Sequence, residues 1–473
     1  MITGEAKDCL NIVKGQLLQG NDKERFRGVS INSRTLAEGE LFVCIQGERF
    51  DGHDFLSEAI KKGAAGIILS KSDNLSSSMT TKEKKPFVIR AQSTLRALQD
   101  LAGYQRDRFP LRVVAVTGTN GKSTTKEMIA SIVETTFRTL KTQGNLNNHI
   151  GLPLTLLARE PEHEVGVLEM GMSAAGEIKR LAEIAKPDIG VITNVSAGHL
   201  VQLKTLKNVQ AAKGELFEAL NEEGTAIVNA DDPLVLELAR SLRAKKITYG
   251  IEQPADVRAS DIQNQGSLGF TFTAKIFDKT IPIRLPHIGY CNIYNALAAL
   301  AVSHSLGVPE VEMGRGLENN KPVSQRNEQI HHAGVTLIND TYNANPHSMR
   351  EALKTLTEFK TQGRRFLIIG DMLELGDLSE SAHQKLGEDI ALSKVDFLVT
   401  VGSLASMASM AAENVTSHTR HLLQIRNFST HEEAANFLVG EAKEKDCLLI
   451  KGSRGAKMEN VIQKYLKIKK QTN

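Results

Sequence analysis

Short apolar runs alternate with segments of helical spacing over most of the chain. Between these runs, apolar residues recur at intervals of three and four, which predicts amphipathic helices. Runs of this length and β-branched content are typical of buried parallel strands, and they cover 41–45, 66–69, 113–116, 165–169, 189–193, 226–229, 335–338, 366–369, 397–401 and 447–450. Strands that alternate with helices in this way predict an α/β fold with doubly wound sheets.

The pattern changes in the middle of the chain. Apolar and polar residues alternate over 270–276 and again over 281–285, which predicts an antiparallel hairpin with one solvated face. Pro110 and Pro322 mark breaks between regions of strand–helix alternation. We therefore expect three domains: a small α/β domain, a P-loop ATPase-like domain with a parallel sheet and the hairpin, and a Rossmann-like domain. Their predicted ranges are 1–110, 111–322 and 323–473.

A glycine-rich turn follows the apolar run 113–116. It reads Gly118, Thr119, Asn120, Gly121, Lys122, Ser123 and Thr124, and helical spacing begins directly after it. Strand, turn and helix in this order are typical of a phosphate-binding loop, although the longer consensus has glycine where Val116 stands. Backbone N–H groups bind phosphate oxygens in such loops, the lysine adds positive charge, and the serine hydroxyl binds Mg²⁺. A tight turn before a helix is the alternative, which the Lys122-Ser123 pair disfavours.

Composition excludes several classes of function. The 473 residues carry 58 basic and 55 acidic side chains, so the net charge is 58 − 55 = +3, and nothing indicates a nucleic-acid partner. Four scattered cysteines without a C-x-x-C pair predict buried thiols in a reducing compartment. No signal peptide and no run of 18 apolar residues is found. We therefore expect a cytoplasmic protein that does not enter a membrane.

Two polar residues follow predicted strands on the side where parallel sheets bind ligands. Glu169 ends the run 165–169, and His199 follows the run 189–193 after a short loop. A carboxylate and an imidazole near phosphates suit Mg²⁺, which uses few protein ligands. Each residue alone is more often structural, but together they favour a metal site. For Lys213, the residues alone predict an ordinary solvent-facing helix lysine.

Further polar residues follow the predicted strands of the last third of the chain. Asp340 can accept hydrogen bonds from ribose hydroxyls. Asn345, which precedes a proline, is equally consistent with a simple helix start. Ser453 and Arg454 lie in a Lys-Gly-Ser-Arg-Gly segment that suits an anionic group. For each of these residues alone, a cap or a surface charge is an equal alternative.

Together, these segments make the chain similar to the Mur ligases of bacterial cell-wall synthesis, and within them to members that add D-alanyl-D-alanine. The resemblance covers almost the whole chain. It is carried by the motifs G-N-L-N-N-H-I-G-L-P-L-T at 144–155, L-E-M-G at 168–171, G-E-I at 176–178, I-T-N at 192–194, A-K-G-E at 212–215, Y-N-A-N-P at 342–346, G-D-M-L-E-L-G at 370–376, K-G-S-R-G at 451–455 and D-G-H-D-F at 51–55.

The resemblance implies one domain each for a UDP-sugar, for ATP and for the incoming amine. It assigns Mg²⁺ to Ser123, Glu169 and His199, and it makes Lys213 a lysine that CO₂ converts to a carbamate supporting the metal. It assigns catalysis to Lys122, Lys213, Glu169 and His199. Besides the loop 118–124, the implied ATP contacts are Asn295, Arg326 and Asp340. The implied substrate contacts are Ser33, Arg34, Asn145, Asn147, Asn148, Tyr342, Asn343, Asn345, Ser453 and Arg454.

The activity implied by the resemblance is ATP-dependent amide ligation. ATP phosphorylates the terminal carboxylate of a UDP-N-acetylmuramoyl-tripeptide, and the amine of D-alanyl-D-alanine attacks the resulting acyl phosphate. The expected partners are these small molecules, with no nucleic acid and no membrane, and the expected state is a monomer. Two alternatives remain at this point. One is another amide ligase, either a sister Mur ligase or a folylpolyglutamate synthase, and the other is an ATP-hydrolysing switch protein.

Overall fold

The computed structural model describes residues 1–47, 49–71, 85–416 and 422–472. The chain divides into two compact units. The first comprises Met1–Ala115, Phe137–Met172 and Gly176–Asp188, and the second comprises Val116–Thr136, Ser173–Ala175 and Ile189–Asn473. The strand Arg112–Thr117 contributes residues to both units, so the glycine-rich turn that follows it belongs to the second.

The first unit contains a five-stranded sheet, here called the N-terminal sheet. Its strands, in spatial order, are Gln16–Gln19, Phe87–Arg90, Gly66–Leu69, Leu41–Val43 and Val29–Ser30. Only the first pair is antiparallel. The described part of the unit also contains the short strands Thr3–Glu5, Arg25–Arg27, Thr139–Lys141 and Val165–Glu169. Its described helices include Ala6–Val13, Leu56–Lys61, Thr94–Asp107, Gly151–Leu157 and Glu177–Ala185.

Local sequence accounts for the helical segment that begins at Gly52. It begins as a 3₁₀ turn, Gly52–Phe55, because the Asp51 carboxylate accepts a hydrogen bond from the backbone N–H of His53. It continues as Leu56–Lys61 and ends before Gly63, whose φ of +81° suits a residue without a side chain. The strands predicted at 41–45 and 66–69 are confirmed. The polar composition of Ser70 to Lys85 predicts a surface loop, and this segment falls mostly on 72–84, outside the described residues.

Six strands of the second unit form the central sheet. Their spatial order is Lys279–Leu285, Phe270–Ile276, Val257–Asn264, Lys245–Gly250, Thr225–Asn229 and Ile189–Ile192. The last four are parallel to one another, and Phe270–Ile276 is antiparallel to both of its neighbours, which confirms the predicted hairpin. The sequence did not reveal the strands 245–250 and 257–264, because lysines and other polar residues interrupt their apolar pattern.

Six more strands of the second unit form the C-terminal sheet. In spatial order they are Glu328–His332, Val335–Asp340, Cys447–Lys451, Arg365–Gly370, Phe397–Val401 and Gln424–Phe428. All neighbours are parallel except the first pair. Separate apolar clusters cover the two faces, as a doubly wound sheet requires. The two edge strands escaped prediction because they carry few apolar side chains.

The helices of the second unit complete the predicted α/β alternation. They are Lys122–Val133, Leu200–Leu203, Leu206–Glu218, Pro233–Ala239, Cys291–Ser305, Glu310–Glu318, Pro346–Glu358, Ser379–Ala391, Ala405–Thr416, His431–Glu441 and Glu459–Thr472. All four cysteines are free thiols. Among the described residues, no helix is both long enough and apolar enough to cross a membrane.

Candidate active site

The turn between the strand Arg112–Thr117 and the helix Lys122–Val133 depends on two glycines. Gly118 has a φ of +146° and Gly121 a φ of +83°, where other residues are strained. A Cβ atom on Gly118 would lie 1.9 Å from Oγ1 of Thr193, and one on Gly121 would lie 2.5 Å from Oδ1 of Asn295. Each glycine is therefore required by its backbone and by a close neighbour.

The residues after the strand Ile189–Ile192 hold this turn in shape. The N–H of Thr119 donates to the carbonyl of Asn194 at 2.9 Å. The N–H of Asn120 donates to Oδ1 of Asn194 at 3.0 Å, and Nδ2 of Asn194 donates to the carbonyl of Asn120 at 3.0 Å. The Thr193 hydroxyl donates to the same carbonyl at 2.6 Å. These bonds provide hydrogen-bond partners for the N–H groups of Thr119 and Asn120 and for the Asn120 carbonyl.

Lys122 and Ser123 open the helix that follows the turn. The Lys122 ammonium donates to the carbonyl oxygens of Gly118 and Thr119 at 2.8 and 3.1 Å. Nη2 of Arg326, from the segment before the C-terminal sheet, donates to the Ser123 hydroxyl at 3.3 Å. Two cationic groups thus lie at a helix N-terminus, where the helix dipole also favours anions.

Asn345 reaches the turn from the C-terminal sheet. Its Nδ2 donates to Oδ1 of Asn120 at 2.8 Å. Its Oδ1 caps the helix Pro346–Glu358 by accepting from the N–H of Ser348, and Ser348 returns the bond in a capping box. The helix-start interpretation is therefore confirmed, and the same side chain also contacts the glycine-rich turn.

Tyr342 lies between the guanidinium groups that the sequence singled out. The Cζ atom of Arg326 lies 4.1 Å from the centroid of its ring, and that of Arg454 lies 5.7 Å from it. Nη1 of Arg454 also donates to Oε1 of Gln325 at 3.1 Å, while Asn343 lies beside it and accepts from its N–H at 3.4 Å. This aromatic and cationic group suits an anionic ligand.

Asp340 and Asn295 contact partners that the sequence did not indicate. The Lys451 ammonium donates to Oδ2 of Asp340 at 2.5 Å. Oδ1 of Asn295 accepts from the Thr125 hydroxyl at 3.1 Å, and its Nδ2 donates to Asn292 at 2.9 Å. Asn295 thereby lies directly against the helix that begins at the glycine-rich turn.

Lys213 is buried, with only 2% of its surface exposed, so the expectation of a solvent-facing lysine was wrong. Burial, followed by the positive charge of Lys122, lowers the pKa of Lys213 well below its usual range. The residues around it are mostly alanine and glycine, so the sequence does not indicate which face of this helix is buried. Burial and the charge of Lys122 also lower the pKa of His199, against the opposing effect of Glu374.

Glu169 lies in the first unit at the end of the strand Val165–Glu169 and is only 2% exposed. Its Oε1 accepts from Nδ2 of Asn147 at 2.7 Å. Among the described residues, none forms a hydrogen bond to its buried Oε2. Asn148 begins the helix Gly151–Leu157 by accepting from two backbone N–H groups, and Asn145 is exposed.

Ser33 and Arg34 lie beside the N-terminal sheet in the first unit. The Ser33 hydroxyl is buried and donates to Oε2 of Glu58 at 2.6 Å. Asn32 turns the chain just before, because its Oδ1 accepts from the N–H of Arg34 at 3.1 Å. Arg34 is exposed, so its guanidinium is accessible to a ligand.

Three residues of the site were not named as site residues from the sequence. Asn194 and Glu374 belong to the motifs that carry the resemblance, and Lys451 follows a predicted strand. Because parallel sheets bind ligands beyond the carboxyl ends of their strands, that signal could have identified all three. Within the described residues, no three His, Cys, Asp or Glu side chains cluster as a ready metal site.

A glycine-rich loop at the edge of a parallel sheet, contacted by side chains from a second doubly wound sheet, defines a nucleotide-dependent α/β enzyme. Three family models match consecutive parts of the chain. They are the Mur ligase family catalytic domain over 25–106, the Mur ligase middle domain over 116–303 and the Mur ligase glutamate ligase domain over 325–454. The chain belongs to the Mur ligase family, with three α/β domains.

Individual relatives match nearly the whole chain. The UDP-N-acetylmuramoyl-tripeptide–D-alanyl-D-alanine ligase of Bacillus subtilis (strain 168) is 37% identical over 465 residues, which cover 98% of each chain. The crystal structure of MurF from Acinetobacter baumannii has a TM-score of 0.88 at 30% identity and covers 99% of each chain. MurF ligase from Thermotoga maritima in complex with ADP has a TM-score of 0.80 at 29% identity, covering 94% of this chain and 99% of that one.

Proposed function

We propose that this chain is an ATP-dependent amide ligase that joins D-alanyl-D-alanine to UDP-N-acetylmuramoyl-tripeptide in peptidoglycan precursor synthesis. The observation that carries the proposal is the 37% identity, over 98% of each chain, to a relative named for that reaction. The loop geometry supports the ATP requirement, and a MurF neighbour was solved with ADP. We also propose that the enzyme acts in the cytoplasm and that it is a monomer.

In the proposed reaction, a carboxylate oxygen of the tripeptide attacks the γ-phosphorus of ATP, and the bond to ADP breaks. The amine of D-alanyl-D-alanine then attacks the acyl carbon, loses a proton, and phosphate leaves. Little covalent work falls to the protein, so positioning and charge neutralisation carry the first step. The N–H groups at the N-terminus of the helix Lys122–Val133 and the Lys122 ammonium are proposed to supply that neutralisation at the outer phosphates.

Two of the residues proposed to contact ATP, Arg326 and Asn295, lie next to this turn. Nη2 of Arg326 donates to the Ser123 hydroxyl, which supports the proposal that its guanidinium contacts the phosphates. Asn295 lies against the turn through Gly121, on the side proposed for adenine. Asp340 is proposed to bind ribose hydroxyls, because its carboxylate lies at the carboxyl edge of the C-terminal sheet.

We propose that Mg²⁺ is held by the Ser123 hydroxyl, the His199 imidazole and Glu169. Glu169 fits such a role on its own contacts, because a buried carboxylate oxygen without a hydrogen bond costs free energy unless a cation binds it. When bound, Mg²⁺ supplies positive charge to the transferring phosphoryl group. The chain's own part is to hold these oxygen and nitrogen ligands in place.

Lys213 is proposed to carry a carbamate. A buried lysine beside Lys122 is destabilised as a second cation, so its amine is neutral more often and can add to CO₂ with loss of a proton. The product is an anion, which the positive charge of Lys122 stabilises and which supports the metal.

The substrates are proposed to bind at three further groups of residues. Ser33 and Arg34 contact the nucleotide sugar from the N-terminal domain. Asn145, Asn147 and Asn148 contact the peptide. The dipeptide is proposed to bind residues at the carboxyl edge of the C-terminal sheet, namely Tyr342, Asn343, Asn345, Ser453 and Arg454. The corresponding domain ranges are proposed to be 1–110, 111–322 and 323–473.

Phosphate release tests the proposal directly. Purified protein is given ATP, Mg²⁺ and a UDP-N-acetylmuramoyl-tripeptide with lysine or diaminopimelate at its third position, with and without D-alanyl-D-alanine. We expect phosphate release that requires the dipeptide and one tripeptide type. Release that requires a different amine would make the chain another amide ligase. Release that requires neither substrate would make it an ATP-hydrolysing switch.

A further inference from the structure

One hydrogen bond joins the proposed metal-binding histidine to the C-terminal sheet. Nδ1 of His199 lies 3.1 Å from Oε2 of Glu374, although the two residues are 175 positions apart in the chain. His199 precedes the short helix Leu200–Leu203, and Glu374 lies in the loop after the strand Arg365–Gly370. The Glu374 side chain is 59% exposed, so burial alone does not hold it against the histidine.

The chemistry of this pair determines which ring nitrogen is available. An ionised carboxylate only accepts hydrogen bonds, so Nδ1 of His199 must carry the proton. In the neutral imidazole, Nε2 then keeps its lone pair and can bind a cation. Histidines that bind metals nearly always donate their other ring N–H to a carboxylate or carbonyl in this way, which fixes the ring and its tautomer.

Backbone strain at both residues is a second, independent observation. His199 has a φ of +55° and Glu374 a φ of +63°, in the left-handed region that non-glycine residues rarely adopt. Each such residue costs on the order of 1–3 kcal/mol and persists where surrounding structure enforces it. An exposed ion pair contributes only about 0–1 kcal/mol. The hydrogen bond is therefore too weak to offset this strain, which disfavours a purely stabilising role.

Hydrogen bonds hold the three residues that precede Glu374 in its loop. The N–H of Met372 donates to Nε2 of the buried His383 at 3.0 Å, and the N–H of Leu373 donates to the Ser453 hydroxyl at 2.8 Å. The Asp371 carboxylate accepts from the N–H of Ala405 at 2.7 Å. These bonds hold the backbone directly before Glu374, so the carboxylate is presented from a rigid support.

We propose that Glu374 is a positioning residue that holds His199 as the Nδ1–H tautomer, which leaves the Nε2 lone pair available to a cation. The proposal rests on the proposed function, in that His199 is a Mg²⁺ ligand there. It adds that the C-terminal sheet supplies the group that prepares this ligand. Metal binding and the position of the C-terminal sheet are then coupled through one hydrogen bond.

Nuclear magnetic resonance of protein with ¹⁵N-labelled histidine tests the tautomer without metal or turnover. At about pH 8, where an imidazole is neutral, the His199 signals are assigned by their loss in His199→Gln. We expect the Nδ1–H tautomer in the wild type, a mixture in Glu374→Ala, and substantial recovery in Glu374→Gln, whose amide oxygen still accepts. Asp377→Ala, an exposed acidic position on the same loop, is the matched control and leaves the signals unchanged.

Mn²⁺ binding to the ADP-bound protein, measured by electron paramagnetic resonance, gives the second readout. We expect the dissociation constant to rise about 10- to 100-fold in Glu374→Ala, the range seen for outer-shell partners of metal ligands, and to stay unchanged in Asp377→Ala. A wild-type tautomer and unchanged Mn²⁺ affinity in Glu374→Ala would overturn the proposal. Both readouts are independent of ligation, so failure of the proposed reaction would appear separately in the phosphate assay.

Discussion

Gly118→Ala should be among the most damaging small substitutions in the second unit. The new methyl group would lie 1.9 Å from the Thr193 hydroxyl oxygen and 3.1 Å from both the Cβ and the backbone nitrogen of Thr193. Real Cβ atoms do not approach so closely, so the side chain or the strand end must move. The substitution also places a side chain at a φ of +146°.

Two contributions set the expected loss in the free energy of unfolding. The backbone conformation costs about 1–3 kcal/mol for a non-glycine residue. Moving the Thr193 hydroxyl breaks its partly buried bond to the Asn120 carbonyl, which costs about 0.5–1.5 kcal/mol more because that carbonyl still accepts from Nδ2 of Asn194. The free energy of unfolding should therefore fall by roughly 1.5–4.5 kcal/mol. Nucleotide binding should be lost as well, because the N–H groups of the turn are displaced.

Urea unfolding followed by far-ultraviolet circular dichroism, with ADP binding measured by calorimetry, checks this expectation. The matched control is Gly440→Ala in the helix His431–Glu441, where an added Cβ meets no heavy atom within 4 Å. That change should stabilise the protein by about 0.5–1 kcal/mol. If Gly118→Ala unfolded within about 0.5 kcal/mol of the wild type and bound ADP normally, the steric reasoning would be refuted.

Three other predictions concern charge. Lys122→Ala should abolish ligation while leaving the unfolding midpoint nearly unchanged; near-wild-type phosphate release would remove its proposed role. Native mass spectrometry should find one added CO₂ that is absent in Lys213→Ala, and a bare lysine with full activity in CO₂-free buffer would contradict the carbamate. Burial, opposed by the hydrogen bond to Asn320, lowers the pKa of His287. Below about pH 6.5 the unfolded chain therefore binds more protons, so stability falls as pH drops, and urea unfolding should show a smaller fall in His287→Gln.

Several parts of the fold and the site could be predicted from the sequence because their signals are local. Runs of β-branched residues predicted the buried strands of the C-terminal sheet, since a strand covered on both faces needs apolar side chains throughout. The turn 118–121 was recognisable because phosphate binding needs glycines and a lysine at fixed spacing. Edge strands such as Gln424–Phe428 lack that signal, since one side of them faces solvent.

The sequence by itself therefore determined the α/β class, the phosphate loop and the membership of the Mur ligase family. Only the tertiary structure decided that Lys213 is buried, that Asn194 shapes the turn and that Glu374 holds His199. Local spacing cannot settle these points, because they depend on which distant segments pack together. A helix lysine among alanine and glycine has no preferred face until its neighbours are in place, and a hydrogen bond across 175 positions has no local pattern.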